Sequence, residues 1–283
     1  MSNAVVSAIE FEDLNAAGVF LCDNLNPEIS PAQWQASVTH EWSTERPNFG
    51  MKLMDREKLV GVFLAIYSEQ EIRGQRQRIC NPHTWCVLPE YRARAVSLAA
   101  ALVRQPGYHF SMLTPNPNVD AVFRFMKFKE LDARLTIFPN LPAFSFVEVV
   151  DESAQIRARL SGGDLRDFEL HTSIPWLHHL VVGDAATGYC WIVFKPRRWK
   201  RLPCADLIHV SNRAAFARHF TALRNYLLFR KKMVWGRVET RFIGDHPLIA
   251  YRTTRTQSKL FLSDRLHDSD VRDLYSELVS LDL

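Results

Sequence analysis

The chain has 283 residues and 47% hydrophobic content, more than a single core of ordinary size requires and enough for two domains. Its 35 basic and 31 acidic side chains leave a net charge of +4, too mild on its own to argue for a nucleic-acid partner. No apolar run of about 18 residues occurs, and Glu10, Glu12 and Asp13 stand where a leader would be basic and then apolar, so a cytoplasmic chain without a membrane span is expected.

Residues 5–9 read as a first strand and residues 11–25 as a helix. Ser30 can cap a second helix, Pro31 suits its first position, and Trp34, Val38 and Trp42 repeat every four residues, which puts His40 and Glu41 near its end. Residues 49–54 and 59–67 are apolar runs joined by a charged turn, the composition of a hairpin. A polar, arginine-rich loop then leads into a strand over residues 78–87.

The most informative stretch follows. Pro89 cannot continue a ladder, and Arg92, Ala93, Arg94, Ala95, Val96 and Ser97 open a helix expected over residues 93–104. A helix start offers unpaired N–H groups and the positive end of its dipole to an anion, the arginines add charge, and the small residues permit close approach. An ordinary strand-to-helix turn has the same spacing. Pro106 and Gly107 stop the helix; residues 108–113 form a strand, residues 114–118 a turn, and Val119, Val122, Phe123 and Met126 fall at helical spacing before a strand at residues 135–138.

This order resembles the Gcn5-related N-acetyltransferases (GNAT), over roughly the first half of the chain. Val87, Pro89 and Arg92 match that family's V-x-P-x-x-R wording, and Asn118, Ala121 and Phe128 match its later N-x-x-A…F segment. Ala95 and Ser97 replace loop glycines, Lys127 replaces another, and Phe123 stands near the family's usual thiolate-protonating tyrosine. The resemblance implies acetyl-CoA or another acyl-CoA as co-substrate and no metal. It places the diphosphate on Arg92, Ala93, Arg94, Ala95, Val96 and Ser97, with Trp85, Val87, Asn118 and Phe123 along the rest of the coenzyme site. It also implies a splay beside the central strand, where the pantetheine arm pairs with the backbone of residues 84–87.

Transfer to an amine asks for positioning and a proton acceptor rather than a covalent nucleophile. His83 is the candidate base, its ordinary pKa being near working pH, and Glu41 is a second candidate where the acceptor enters; a structural histidine and a solvated helix end are the alternatives. Strand alternation would put His83, Trp85 and Val87 on one face and Thr84 and Cys86 on the other. The five cysteines have no metal or redox spacing and read as free thiols, and the adjacent His178 and His179 must face opposite sides of a strand, a poor pair of metal ligands.

Breaks at residues 139–142 and 161–164 bracket a domain boundary, giving domains at residues 1–148 and 149–283. The second half offers hairpin strands at residues 177–182 and 189–194, a basic knot at residues 195–201 with Trp199 inside it, and a strand at residues 205–210. A helix opening at Ser211 or Asn212 buries Phe216, Phe220, Leu223 and Leu227; strands at residues 233–238, 247–251 and 259–262 follow, with a terminal helix over residues 268–281. The turn at residues 211–215 lacks proline and glycine, so this copy is read as coenzyme-free. The fold class is therefore α/β, with two GNAT-like mixed-sheet domains in tandem and the second degenerate. Such a pairing also resembles acyltransferases associated with bacterial surface-polysaccharide synthesis.

The expected function is N-acetyl or N-acyl transfer from acyl-CoA to an amino sugar or other small amine, with a homo-oligomer left open. Two alternatives stand beside it: a binding or assembly protein that kept the fold without the chemistry, and an aminoacyl-tRNA-dependent transferase of the peptidoglycan-bridge type.

Overall fold

A computed structural model of the chain describes residues 4–244, 250–253 and 257–282. They divide into two units, Met1–Leu131 with Ser258–Val271 and Tyr275–Leu283, and Asp132–Gln257 with Arg272–Leu274. The boundary thus falls at residue 131 rather than 148, and the end of the chain returns to the first unit.

In the first unit, strand β1 (Val5–Ala8) leads through a short 3-10 turn into helix α1 (Leu14–Asn24). Helix α2 (Pro31–Ala36) opens as expected, with the Gln33 amide donating to Ser30 Oγ at 3.3 Å and the Ser30 amide donating to Gln33 Oε1 at 2.8 Å. It ends well before Trp42. Ser37 Oγ donates to the Trp34 carbonyl at 2.7 Å, and Arg46 takes the Val38 and His40 carbonyls at 3.0 and 2.7 Å, the first being the acceptor that a helix reaching Trp42 would use itself. Trp34, Val38 and Trp42 are buried all the same.

Strands β2 (Gly50–Asp55), β3 (Lys58–Ile72) and β4 (Gln75–Val87) form a continuous antiparallel meander. The stretch read as an arginine-rich loop is the end of the β3–β4 ribbon, closed by the two-residue turn Arg73-Gly74 with both residues at positive φ. A 3-10 helix (Pro89–Arg94) then precedes helix α3 (Ala95–Val103), followed by β5 (His109–Met112), α4 (Pro117–Phe125) and β6 (Lys129–Glu130). The core of this unit gathers Phe63, Leu98, Leu102, Phe110, Phe123 and Phe128 between the sheet and these helices.

The second unit holds β7 (Leu135–Pro139), β8 (Val149–Val150), α5 (Ser153–Arg159) and α6 (Gly162–His171). Ser161-Gly162-Gly163, read from sequence as a break, is instead the start of α6. Then come β9 (His178–Val182), β10 (Cys190–Trp199), β11 (Leu202–Val210), α7 (Arg213–Phe229), β12 (Trp235–Glu239), α8 (Thr240–Ile243) and β13 (Tyr251–Arg252). The expected strand at residues 247–251 lies partly outside the described residues. The basic knot is the tip of the β10–β11 hairpin, and Pro196 falls where β10 has run past β9, so its missing N–H costs no ladder bond on that side. On α7 the predicted stripe Phe216, Phe220, Leu223 and Leu227 is buried against Phe138, Ile192 and Phe194. Each such side chain contributes about 1.5–3 kcal/mol of burial.

Strand β14 (Leu260–Leu262) and helix α9 (Glu277–Ser280) complete the first unit. The expected helix over residues 268–281 shrinks to a 3-10 turn and α9: the Asp270 carboxylate caps the former by accepting from the His267 amide, and Ser276 caps the latter. The first sheet runs β1-β2-β3-β4-β5-β14-β6 and the second β13-β7-β12-β11-β10-β9-β8. Read from opposite ends, the two orders are topologically the same. Among the described residues each has one parallel pair, β4–β5 or β11–β12, and each places beside the latter strand a member from a distant part of the chain, β14 or β7. Both are mixed sheets, as expected from the sequence.

Candidate functional site

Strands β4 and β5 are paired only through Ile79 with His109 and Cys80 with Phe110, although β4 continues to Val87. Asn81 stands where they part. Its Nδ2 donates across the gap to the Ser111 carbonyl at 2.7 Å, and its Oδ1 accepts from the Glu277 amide at 3.3 Å. Beyond it, residues 81–87 have no ladder partner on the β5 side among the described residues. A peptide-like chain can use those groups, since backbone donors and acceptors need partners when covered.

Within the open stretch the strand bulges. His83 pairs with Leu64 and Trp85 with Phe63, leaving Thr84 as an extra residue with φ of 56°. The bulge overturns the simple alternation expected from sequence. His83 and Cys86 share the face of Leu64 and Val62, whereas Trp85 and Val87 share the face of Phe63 and Gly61. Trp85 stacks on Phe63 at 4.8 Å and meets Phe123 edge-on at 6.3 Å. Phe123 is fully buried, against Phe128 at 4.7 Å as well, so it supports Trp85 from within the core.

His83 is only 2% exposed, and its Nδ1 shares a hydrogen bond of 2.7 Å with Thr84 Oγ1 while Nε2 has no partner. Burial first, and then the nearby His40, push its pKa down to about 3. His40 stacks on Trp42 at 4.4 Å, has its own Nε2 unpartnered, and is lowered to about 4 by burial and by Arg46. Both rings are therefore neutral at ordinary pH. Glu41, between His40 and Trp42, is exposed. Trp42 meets Tyr275 edge-on at 5.5 Å, and the buried Glu277 accepts a hydrogen bond from Thr114 Oγ1 at 2.7 Å. Sequence reasoning missed Asn81, the bulge at Thr84 and Glu277; no local pattern marks a bulge at a threonine, and Glu277 is distant in sequence.

At the phosphate-site candidate, the six residues form the end of the 3-10 helix and the first turn of α3. Arg92, Ala93, Arg94 and Val96 are exposed, and Ala95 and Ser97 are half-buried. The Tyr91 amide donates to the Leu88 carbonyl at 2.9 Å and the Ala95 amide to Arg92, so these two donors are engaged. Arg94 Nη2 donates to the Ala4 carbonyl at 3.0 Å, which ties one cation to β1, while Arg92 projects outward. No side chain caps α3. Asn118 is exposed on the first turn of α4, whose cap is Asn116, accepting from the Asn118 and Val119 amides at 3.0 Å each; the Asn116-Pro117 pair was the readable signal for it. His178 and His179 face opposite sides of β9, stacked on Phe194 and Trp191 respectively.

No protein-family model matches the sequence, and no curated protein matches it. Solved structures do resemble it. A GCN5-related N-acetyltransferase from Anabaena variabilis has a TM-score of 0.63 at 11% identity, covering 92% of this chain and 72% of that one. One from Kribbella flavida gives 0.58 at 13% identity, covering 92% and 70%, and Eis1 from Mycobacterium abscessus gives 0.55 at 12% identity, covering 91% and 73%. At such identities the shared property is the fold.

Proposed function

We propose that the protein is an acyl-CoA-dependent acyltransferase whose first unit holds the coenzyme at the β4–β5 splay and passes the acyl group to an amino sugar or other small amine. The observation that carries this reading is the early parting of β4 from β5 combined with the bulge at Thr84. Together they leave a stretch of β4 backbone that, among the described residues, has no ladder partner on the β5 side. The pantetheine arm would pair with residues 84–87, and its diphosphate would meet Arg92 and the uncapped first turn of α3, with Ala93, Ala95 and Ser97 leaving room for it.

On the other face His83 has His40 nearby, and Glu277 is joined to the open strand through its amide's bond to Asn81; an amine would approach the thioester from this side. The neutral His83 ring can accept a hydrogen bond from the amine; burial makes it a reluctant holder of the proton. Glu277 is a carboxylate alternative for that task. The second unit, with its different helix start, is assigned no coenzyme. The engaged amides of Tyr91 and Ala95 favour one competing reading, a binding protein that retains the fold without turnover.

Calorimetric titration with acetyl-CoA and coenzyme A tests the proposal. One molecule bound per chain is the expected result. No binding of either would overturn the transferase reading in favour of the binding-protein one.

A further inference from the structure

One end of the second unit carries exposed apolar and cationic side chains for which acyl transfer has no use. Three segments meet there through the sheet register. Trp199 and Leu202 flank the tip of the β10–β11 hairpin, Trp235 begins β12 opposite both Cys204 and Pro139, and the Asn140 amide donates to the Val234 carbonyl at 2.9 Å. From Asn140 an extended segment crosses the last turns of α7, where the Ala143 amide donates to Asn225 Oδ1 at 3.0 Å and Asn225 Nδ2 donates back to the Ala143 carbonyl at 2.5 Å. Beyond that clamp the chain alternates. Ser145 and Val147 line an open groove of about 410 Å³ with Tyr226, Phe229 and Arg230, while Phe144 and Phe146 point outward at 84% and 88% exposure. Leu141, Leu202 and Phe229 are exposed on the same end.

Cations border this apolar ridge. Among the described residues, Arg197, Arg198, Lys200, Arg201, Arg230 and Lys232 have no carboxylate within ion-pair distance. The neighbouring acids are engaged, Glu148 with Arg159 and Asp151 with Tyr226 and Lys231. The hairpin tip keeps its charge against backbone preference. Lys200 and Arg201 have φ of 48° and 68°, the left-handed pair of a two-residue hairpin turn that favours Asn-Gly. The comparable turn of the first unit has Gly74 at its second position.

We infer that this end of the second unit docks peripherally on an anionic lipid surface, with the cations among the headgroups and Phe144 and Phe146 in the interface. The inference is independent of the proposed transferase activity. Charge complementarity selects an anionic partner, and the apolar ridge selects lipid over nucleic acid. Bases stack on flat aromatic faces, whereas Phe144 and Phe146 meet edge to face at an interplanar angle of 81°, and Leu141 and Leu202 have no π face to offer. Among the described residues no helix is long and apolar enough to cross a membrane, which fits contact from one side.

Co-sedimentation of the full chain with phosphatidylcholine vesicles, with and without about one-third phosphatidylserine, tests the inference. Binding to the anionic vesicles alone is expected, weakening as added salt shortens the screening length from about 10 Å at 0.1 M to about 3 Å at 1 M. The double substitution Phe144→Ser/Phe146→Ser should weaken binding at least about tenfold. The pair Lys200→Asn/Arg201→Gly should also weaken it about tenfold while leaving the thermal midpoint unchanged or higher, because the new residues suit the turn. Failure to sediment with anionic vesicles, or equal sedimentation with both kinds, overturns the inference. So does tight binding of poly(U) without vesicle binding, which would make the surface a nucleic-acid site. A dimer that dissociates when the two phenylalanines are replaced, again without vesicle binding, would make it a self-interface.

Discussion

The two units follow the same strand order, yet the two helices that leave their parallel strand pairs start differently. In the first unit α3 begins after a 3-10 turn, with no side-chain cap and with arginines at its approach. In the second, α7 is capped by Asn212, whose Oδ1 accepts from the Ala215 amide at 3.0 Å, and Ser211 Oγ accepts from the Trp191 amide at 2.9 Å. The ladders differ too. The β4–β5 pairing stops at Cys80, far from the end of β4, whereas β11 stays paired to β12 through Leu207, close to its own end at Val210. Topology is therefore shared, and so is a bulge before the crossover, at Thr84 in β4 and at Ile208 in β11; the groups left over for a ligand differ through a cap and a ladder length.

The sharpest way to break this comparison is to charge the start of α3. Ala95→Glu should lower coenzyme affinity at least about a hundredfold in calorimetry, since a carboxylate there fills space and repels phosphate. Unchanged affinity would remove the diphosphate from this turn. A second bound coenzyme per intact chain would show that α7 is not closed after all.

The next effect is on turnover. His83→Gln should reduce kcat by about a hundredfold with coenzyme affinity near normal, because glutamine keeps a hydrogen bond but cannot take a proton. A wild-type rate profile without an inflection near pH 6.5 should accompany it, since burial has moved the ring's titration down to about 3. A loss smaller than about tenfold would shift attention to Glu277.

Both units should respond to acid in the same sense. His40 is lowered to about 4 and His83, His179 and His209 to about 3, each chiefly by burial. The unfolded chain then binds more protons than the folded one below about pH 6.5, so stability is full above that value and is lost as pH falls toward about 4. Urea midpoints measured at about pH 7.5 and pH 5 should differ by several kcal/mol in ΔG, at up to about 1.4 kcal/mol per pH unit for each ring. Identical midpoints would mean that these rings are more solvated than the structure shows.

The smallest effect isolates the cap. Asn212→Ala should cost about 1 kcal/mol of stability in chemical denaturation and leave coenzyme affinity untouched. A gain of coenzyme binding at α7 in that variant would be informative, since the cap alone would then account for the contrast between the units.

Much of this fold was legible because it rests on local rules. The Ser30-Pro31 helix start, the β2–β3 hairpin and the apolar stripe of α7 all follow from capping, turn chemistry and 3.6-residue periodicity. What escaped depends on partners distant in sequence. Helix α2 stops at Ala36 and Arg46 takes the Val38 and His40 carbonyls beyond it, Thr84 is forced out of alternation by the register with β3, and residues 268–281 give up a helix for capped turns. Of the candidate site, Ala95 and Ser97 lie in the first turn of α3 and Arg92 in the 3-10 helix before it, close to the helix start expected from sequence, whereas the faces of His83 and Trp85 and the position of Glu277 required the sheet itself.

Strand β14, between β5 and β6, has a further consequence for how the protein is made. On the ribosome the first sheet lacks an interior member until residues 260–262 have emerged, so β5 and β6 must wait with unpaired edges while the whole second unit is synthesised. A nascent chain released early, or a fragment ending at residue 148, exposes those edges permanently. Such species are candidates for chaperone capture and aggregation rather than autonomous domains, and expression of the protein in halves should yield insoluble material unless both halves are present together.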